Sequence, residues 1–177
     1  MGASNNDTIF LKPVTIDEVV NITCKLNNKT SKDCFGLSMY TVKKLIIPLS
    51  VPLSYICNLS LENVFFPKML KTAKVIPMHK SGTLDDFNNY RPISLLPQFS
   101  KILEKVFYNR LLVFTEKHKI VHESQFGFRP KYSTTYAVSE LIECISEALE
   151  NKSFTLGLFI DLKKAFDTVN HAIFWKN

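Results

Sequence analysis

Residues 154–160 read Phe-Thr-Leu-Gly-Leu-Phe-Ile and run straight into Asp161. In an extended chain successive side chains point to opposite faces, so Phe154, Leu156, Leu158 and Ile160 share one face, and Thr155, Gly157, Phe159 and Asp161 the other. Both faces are largely apolar, which predicts a buried strand. Such a strand needs sheet partners, because left exposed and unpaired it is an aggregation liability. A carboxylate at its end is ionised at neutral pH and held by a rigid element, which suits a divalent metal. Asp161 could equally cap a helix over 162–169.

The rest of the chain can build a core around that strand. It has 177 residues, 46% of them hydrophobic and 21% charged, which excludes a disordered or fibrous protein. With only five glycines, a Gly-rich nucleotide loop is disfavoured. The net charge is +6 and the pI about 9.1, which suits a polyanionic partner or simply a solvated basic surface. Cys24, Cys34, Cys57 and Cys144 form no CxxC pair, which argues against a zinc knuckle. Residues 1–8 are polar and resemble no signal peptide, so the expectation is an intracellular, unsecreted protein without disulfides. The apolar stretch 45–61 is interrupted by Pro48 and Pro52 and is too short to span a bilayer, so it is expected to be a buried helical pair, with no membrane partner. His79, His118, His122 and His171 lack metal-site spacing.

Helical signals fill the first third. Thr15 followed by Glu18 predicts a capping box for a helix over 16–26, with Asn27 and Asn28 as its stop. Ser38 can cap a second helix to about Ile46, and Pro48 suits the first turn of a third, ending near Asn63. The character changes at Phe66-Pro67. Residues 73–79 and 90–96 read as two strands about a polar loop, a β-hairpin with Lys80 and Arg91 near its tip and Pro77 marking an edge. After Pro97 the residues Phe99, Ile102, Leu103, Val106, Phe107, Val113 and Phe114 fall at helical spacing. Thr134 or Thr135 can cap a last helix with Val138, Leu141, Ile142, Ile145 and Leu149 on one face. The mixture is an α+β pattern.

Three groups could carry chemistry. Asp161 is the sharpest; Asp167 follows six residues on but shares no helical face with it neatly, so a paired-carboxylate hydrolase is a weak reading. Lys74, Lys80 and Arg91, with Lys68 and Lys71 nearby, could clamp a triphosphate or a nucleic-acid backbone, or merely form a basic surface. In Gln125-Phe126-Gly127-Phe128-Arg129 the glycine suggests a tight turn with close backbone approach, or an aromatic loop packed on the core.

The order of these segments is more specific than any one of them. LKTAKVIPMHKSG, NNYRPISLLPQFSKILEKVF, SQFGFRPKYSTTYAV and LFIDLKKAFDTVNHAI resemble, in succession, the leading fingers strand, two further fingers blocks and the first palm motif of jockey-type and related non-LTR retrotransposon reverse transcriptases. The upstream LKPVTIDEVVNITCKLNNKTSKDCFGLS resembles the family's N-terminal extension, so the likeness covers nearly the whole chain.

The resemblance implies a right-hand polymerase fold of which this chain holds the fingers and the first part of the palm only. Residues 1–65 would be the helical extension, 66–152 the fingers and 153–177 the start of the palm. It implies an RNA-directed DNA polymerase working on an RNA template, a DNA primer and deoxynucleoside triphosphates with two Mg²⁺ ions. By the same likeness, Asp161 matches the catalytic, metal-binding aspartate and Phe166 the aromatic that closes under the sugar, with Asp167 next to it. Lys74, Lys80 and Arg91 match nucleotide-contacting fingers residues, and Gln125, Gly127, Phe128 and Arg129 match a fingers block near the template. The family's Tyr-x-Asp-Asp segment is absent from 1–177, and residues 173–177 depart from its leucine-rich helix. Residues 1–177 alone are therefore expected to lack polymerase activity; a catalytically dead, RNA-binding remnant of a decayed element is the alternative. The family's place of action is nuclear or cytoplasmic.

Overall fold

The Thr15 hydroxyl accepts the Glu18 amide at 3.2 Å and opens helix α1 (Ile16–Lys25). Only half of the expected reciprocal cap forms, because the Glu18 carboxylate is taken by Arg110 instead, at 2.8 and 3.0 Å. The helix stops because Leu26 turns extended (φ −63°, ψ 150°). Neither Asn27 nor Asn28 is left-handed, which corrects the expected asparagine stop. Lys43 donates to the Cys24 carbonyl at 2.8 Å, a cation where the helix dipole is negative.

These observations come from a computed structural model that describes residues 11–162. Ser38 caps α2 (Met39–Lys44), and α3 (Ile46–Glu62) follows at once. The α2 helix ends two residues short of the expected Ile46. Had it run on, the Pro48 ring would have met the carbonyl four residues back, that of Lys44. With the break at Leu45, Pro48 sits in the first turn of α3, where its missing N–H costs nothing.

The one-turn α4 (Lys68–Lys71) leads into β1 (Lys74–His79), which pairs antiparallel with β2 (Tyr90–Leu95). Pro77 stands directly opposite Pro92. The Lys80 amide bonds the Asn89 carbonyl at 2.7 Å. Because ladder bonds alternate, that makes Pro77 and Pro92 a non-hydrogen-bonded pair whose ring nitrogens face outward. The prolines cost the ribbon no ladder bond and deny a donor at both outer edges.

Helix α5 (Gln98–Lys117) closes the first unit. Val19 and Ile22 of α1, Met39 and Val42 of α2, Ile46, Leu53 and Cys57 of α3, and Ile102, Leu103 and Val106 of α5 form one buried cluster. Phe107 and Val113, on the expected apolar face of α5, stay exposed. Burial pushes the Cys57 thiol up to about 11, with Glu18 adding to the rise and Arg110 opposing it, so Cys57 holds no thiolate at neutral pH.

Three sets of polar contacts brace this unit. Asn58 exchanges two hydrogen bonds with the Val14 backbone, at 2.7 and 3.0 Å. Arg110 grips Glu18 with both oxygens and also donates to the Lys12 carbonyl. Asp33, buried, accepts the Phe35 and Leu37 amides on one oxygen and the Gln98 amide on the other, each at 2.9 Å. Pro97, the residue at the cap position of α5, makes no side-chain cap bond, so Asp33 caps that helix from 65 residues away.

Residues from His122 onward form a second unit. Its helix α6 (Thr134–Glu150) is capped by Ser133, one residue before the expected threonines. Val138, Leu141, Ile142, Ile145 and Leu149 lie along one face as expected, but all are exposed. Residues 154–160 are not the expected buried strand: they carry no strand assignment, and Phe154, Leu156 and Ile160 are fully or largely exposed. Apolar alternation fixes what a segment will bury once paired, and among the described residues nothing pairs with it. Among the described residues no helix is long and apolar enough to cross a membrane.

Replacing Asp33 with Ala strips acceptors from three amides, one of them in a buried bond. We expect a loss of about 2–4 kcal/mol in urea unfolding, against under about 0.5 kcal/mol for the exposed Glu62→Ala.

Candidate nucleic-acid interface

Strand register decides which cations can act together. Lys74, Ile76 and Met78 stand opposite Leu95, Ile93 and Arg91, so these six share one face of the ribbon. Lys80 continues that face beyond the strand end, diagonal to Arg91 at about 7–8 Å. Lys74 lies about 13 Å further along. Lys80 and Arg91 can therefore hold one anionic group jointly, while Lys74 serves a separate position. All three are exposed, and among the described residues none is paired with a carboxylate. On the other face His79 and Tyr90 pack edge to face, with ring centroids 5.3 Å apart.

The loop between the strands is ordered by its own side chains. Asn89 donates to the Thr83 carbonyl at 2.8 Å and the Tyr90 hydroxyl to the Leu84 carbonyl at 3.0 Å. Asp86 accepts the Asn88 amide at 2.9 Å and opens a 3₁₀ turn over Phe87–Asn89. Gly82 is left-handed (φ +90°), and a Cβ there would lie 2.6 Å from the Asn89 side chain. Phe87, at the tip, is 91% exposed. Sequence reading passed over it, although an aromatic inside Leu-Asp-Asp-Phe-Asn-Asn was a signal.

In the second unit Gln125, Gly127, Phe128 and Arg129 come together in one loop. Arg129 is turned into it: its guanidinium donates to the His122 and Glu123 carbonyls at 3.2 and 3.4 Å and lies 4.1 Å from the centre of the Tyr132 ring. Tyr132 meets Phe126 edge to face, and Gln125 bonds the Gly127 carbonyl. Gly127 is not the residue that needs freedom. Its φ is not positive, and a Cβ would meet nothing within 4 Å. The left-handed positions are Phe128 (φ 62°) and Lys131 (φ 68°), with Phe128 94% exposed. A bulky residue in that region is strained by roughly 1–2 kcal/mol, and nothing in ring packing offsets it here.

Asp161 is exposed. Among the described residues no three His, Cys, Asp or Glu side chains converge, so the described part does not make up a metal site by itself. Phe166 and Asp167 lie outside the described residues.

An exposed basic hairpin, an aromatic-arginine loop and an exposed aspartate after an apolar run offer the cations and rings that suit a polyanionic partner. Residues 78–177 match the reverse transcriptase (RNA-dependent DNA polymerase) family, and the chain belongs to it. It is 38% identical over 162 residues, 91% of its length, to the RNA-directed DNA polymerase from mobile element jockey of Drosophila melanogaster. It is 35% identical over 91% of its length to the probable RNA-directed DNA polymerase from transposon BS of the same fly, and 30% over 87% to that from transposon X-element. The chain spans only 17–18% of these curated relatives.

Phe128→Gly removes the strain without removing a packed ring. We expect it to raise the stability of the second unit by up to about 1 kcal/mol in thermal unfolding; a loss would show that the ring is packed after all.

Proposed function

We propose that residues 1–177 are part of an RNA-directed DNA polymerase of a non-LTR mobile element, built on the right-hand fold. In this reading 1–65 is the helical extension, 66–152 the fingers and 153–177 the start of the palm. The complete enzyme adds deoxynucleotides to a DNA primer on an RNA template, in the nucleus or cytoplasm. The observation that carries the reading is the hairpin register, which sets Lys80, Arg91 and Lys74 along one exposed face, joined to the family match over 78–177.

Each residue then has a task that its chemistry suits. Arg91 offers a planar fork of N–H donors for phosphate oxygens and Lys80 a compact charge beside it, the pairing that holds a triphosphate. Lys74, about 13 Å further along the ribbon, serves a separate phosphate. Gln125 and Gly127 lie in the loop near the template and hold each other through the Gln125 amide, Phe128 presents a free ring, and Arg129 holds that loop in shape. Phe166 would close beneath the sugar, with Asp167 beside it. Asp161 would supply one carboxylate to Mg²⁺, which in this family neutralises charge on the transferring phosphoryl group. The remaining ligands have to come from the Tyr-x-Asp-Asp segment that 1–177 lacks.

The test is Asp161→Ala in the complete polymerase. Primer extension should fall by more than about a hundred-fold, beyond the usual cost of losing a merely supporting residue, while RNA affinity is unchanged. Residues 1–177 alone should extend no primer. Synthesis that survives the substitution, or Mg²⁺-dependent extension by 1–177, would refute the assignment.

A further inference from the structure

Phe87 stands at the tip of the hairpin with 91% of its surface in water, and the loop that carries it is not loose. The Asn89–Thr83, Tyr90–Leu84 and Asp86–Asn88 bonds lace the loop, and the Asn89 side chain fills the space a Cβ on Gly82 would take. A phenyl ring is among the most favourable groups to bury, and a laced loop that leaves one in solvent has its ring mounted for a partner. The surroundings narrow the choice. Along the loop Asp85, Asp86 and Asn88 flank Phe87, and Leu84, also exposed, is the one other large apolar residue of residues 80–89. That is too small and too polar a patch for a protein interface, which needs a contiguous area of several hundred Å² on each side. A nucleobase needs only one flat ring face. Behind the tip, Lys80 and Arg91 share one face and carry no carboxylate partner among the described residues. Asp86, the acid next to the ring, is turned back to cap the turn.

We propose that Phe87 is a stacking platform for an unpaired nucleobase, with Lys80 and Arg91 holding the adjoining phosphates whenever no triphosphate occupies them. The proposal rests on the polymerase reading above and adds a contact that reading does not contain. Base–aromatic stacking tolerates any base, which suits a surface that meets a strand of arbitrary sequence.

The test uses residues 1–177 and two labelled strands of about a dozen nucleotides, oligouridine and an abasic strand with the same phosphates, in fluorescence anisotropy at low salt. Phe87→Ala should weaken oligouridine binding roughly five- to a hundred-fold, leave the abasic strand unaffected and keep the salt slope, and Phe87→Trp should retain the affinity. The Lys74→Ala/Lys80→Ala/Arg91→Ala variant should weaken both strands and flatten the salt slope. If Phe87→Ala binds oligouridine like the parent while the triple variant fails, the stacking proposal falls and the polymerase reading stands. Equal weakening of both strands by Phe87→Ala also overturns it, since the ring would then act through the hairpin fold. If the parent binds neither strand, the nucleic-acid reading and the proposal fall together.

Discussion

Both oxygens of the Asp33 side chain are occupied, and the loop ahead of α2 and the start of α5 meet there. One oxygen closes the loop ahead of α2 through the Phe35 and Leu37 amides; the other caps α5 at Gln98. A helix start preceded by proline has no side chain of its own to satisfy its free amides, and a negative charge there also favours the helix dipole. Because this contact joins points 65 residues apart, the loop ahead of α2 and the start of α5 hold each other in place. The Glu18–Arg110 pair likewise links α1 to α5, and the Asn58–Val14 pair ties the segment before α1 to α3.

That brace determines how well the hairpin is held. The ribbon has no buried face of its own: Val75, Ile76 and Met78 are exposed, and a two-stranded ribbon is marginal in water. Its persistence depends on α5, whose first turn is fixed by Asp33 directly after β2. Lys80, Arg91 and Phe87 thus project from a thin support anchored at its base. Such an element suits contact with a long flexible polyanion, where cations set the affinity and an aromatic ring adds a sequence-tolerant contact.

Short-range chemistry was legible in the sequence. Thr15, Ser38 and Pro48 act within one turn of themselves, and the Pro77 ribbon follows from alternation over six residues. The family was legible too, because four motifs in order are specific even where each is weak. What escaped was long-range or competitive. Nothing near Asp33 announces that its partner is Gln98, and nothing at Thr15–Glu18 shows that Arg110 outbids the capping box. In Gln125–Arg129 the glycine drew attention, yet Phe128 bears the left-handed conformation, since the loop's shape is set by Arg129 bonding carbonyls behind it. The segment 154–160 carries the composition of a buried strand, but burial is a property of its neighbours as well as of itself.

The central claim is that α1 and α5 belong to one cooperative body. Native-state hydrogen exchange in rising urea tests it at the buried amides of Val19 in α1 and Val106 in α5. The two should converge on one opening free energy with one urea dependence, as members of a single unfolding unit do. If the α1 amide exchanges through a smaller opening while the α5 amide stays protected, α1 is an appendage and the account of the brace is wrong.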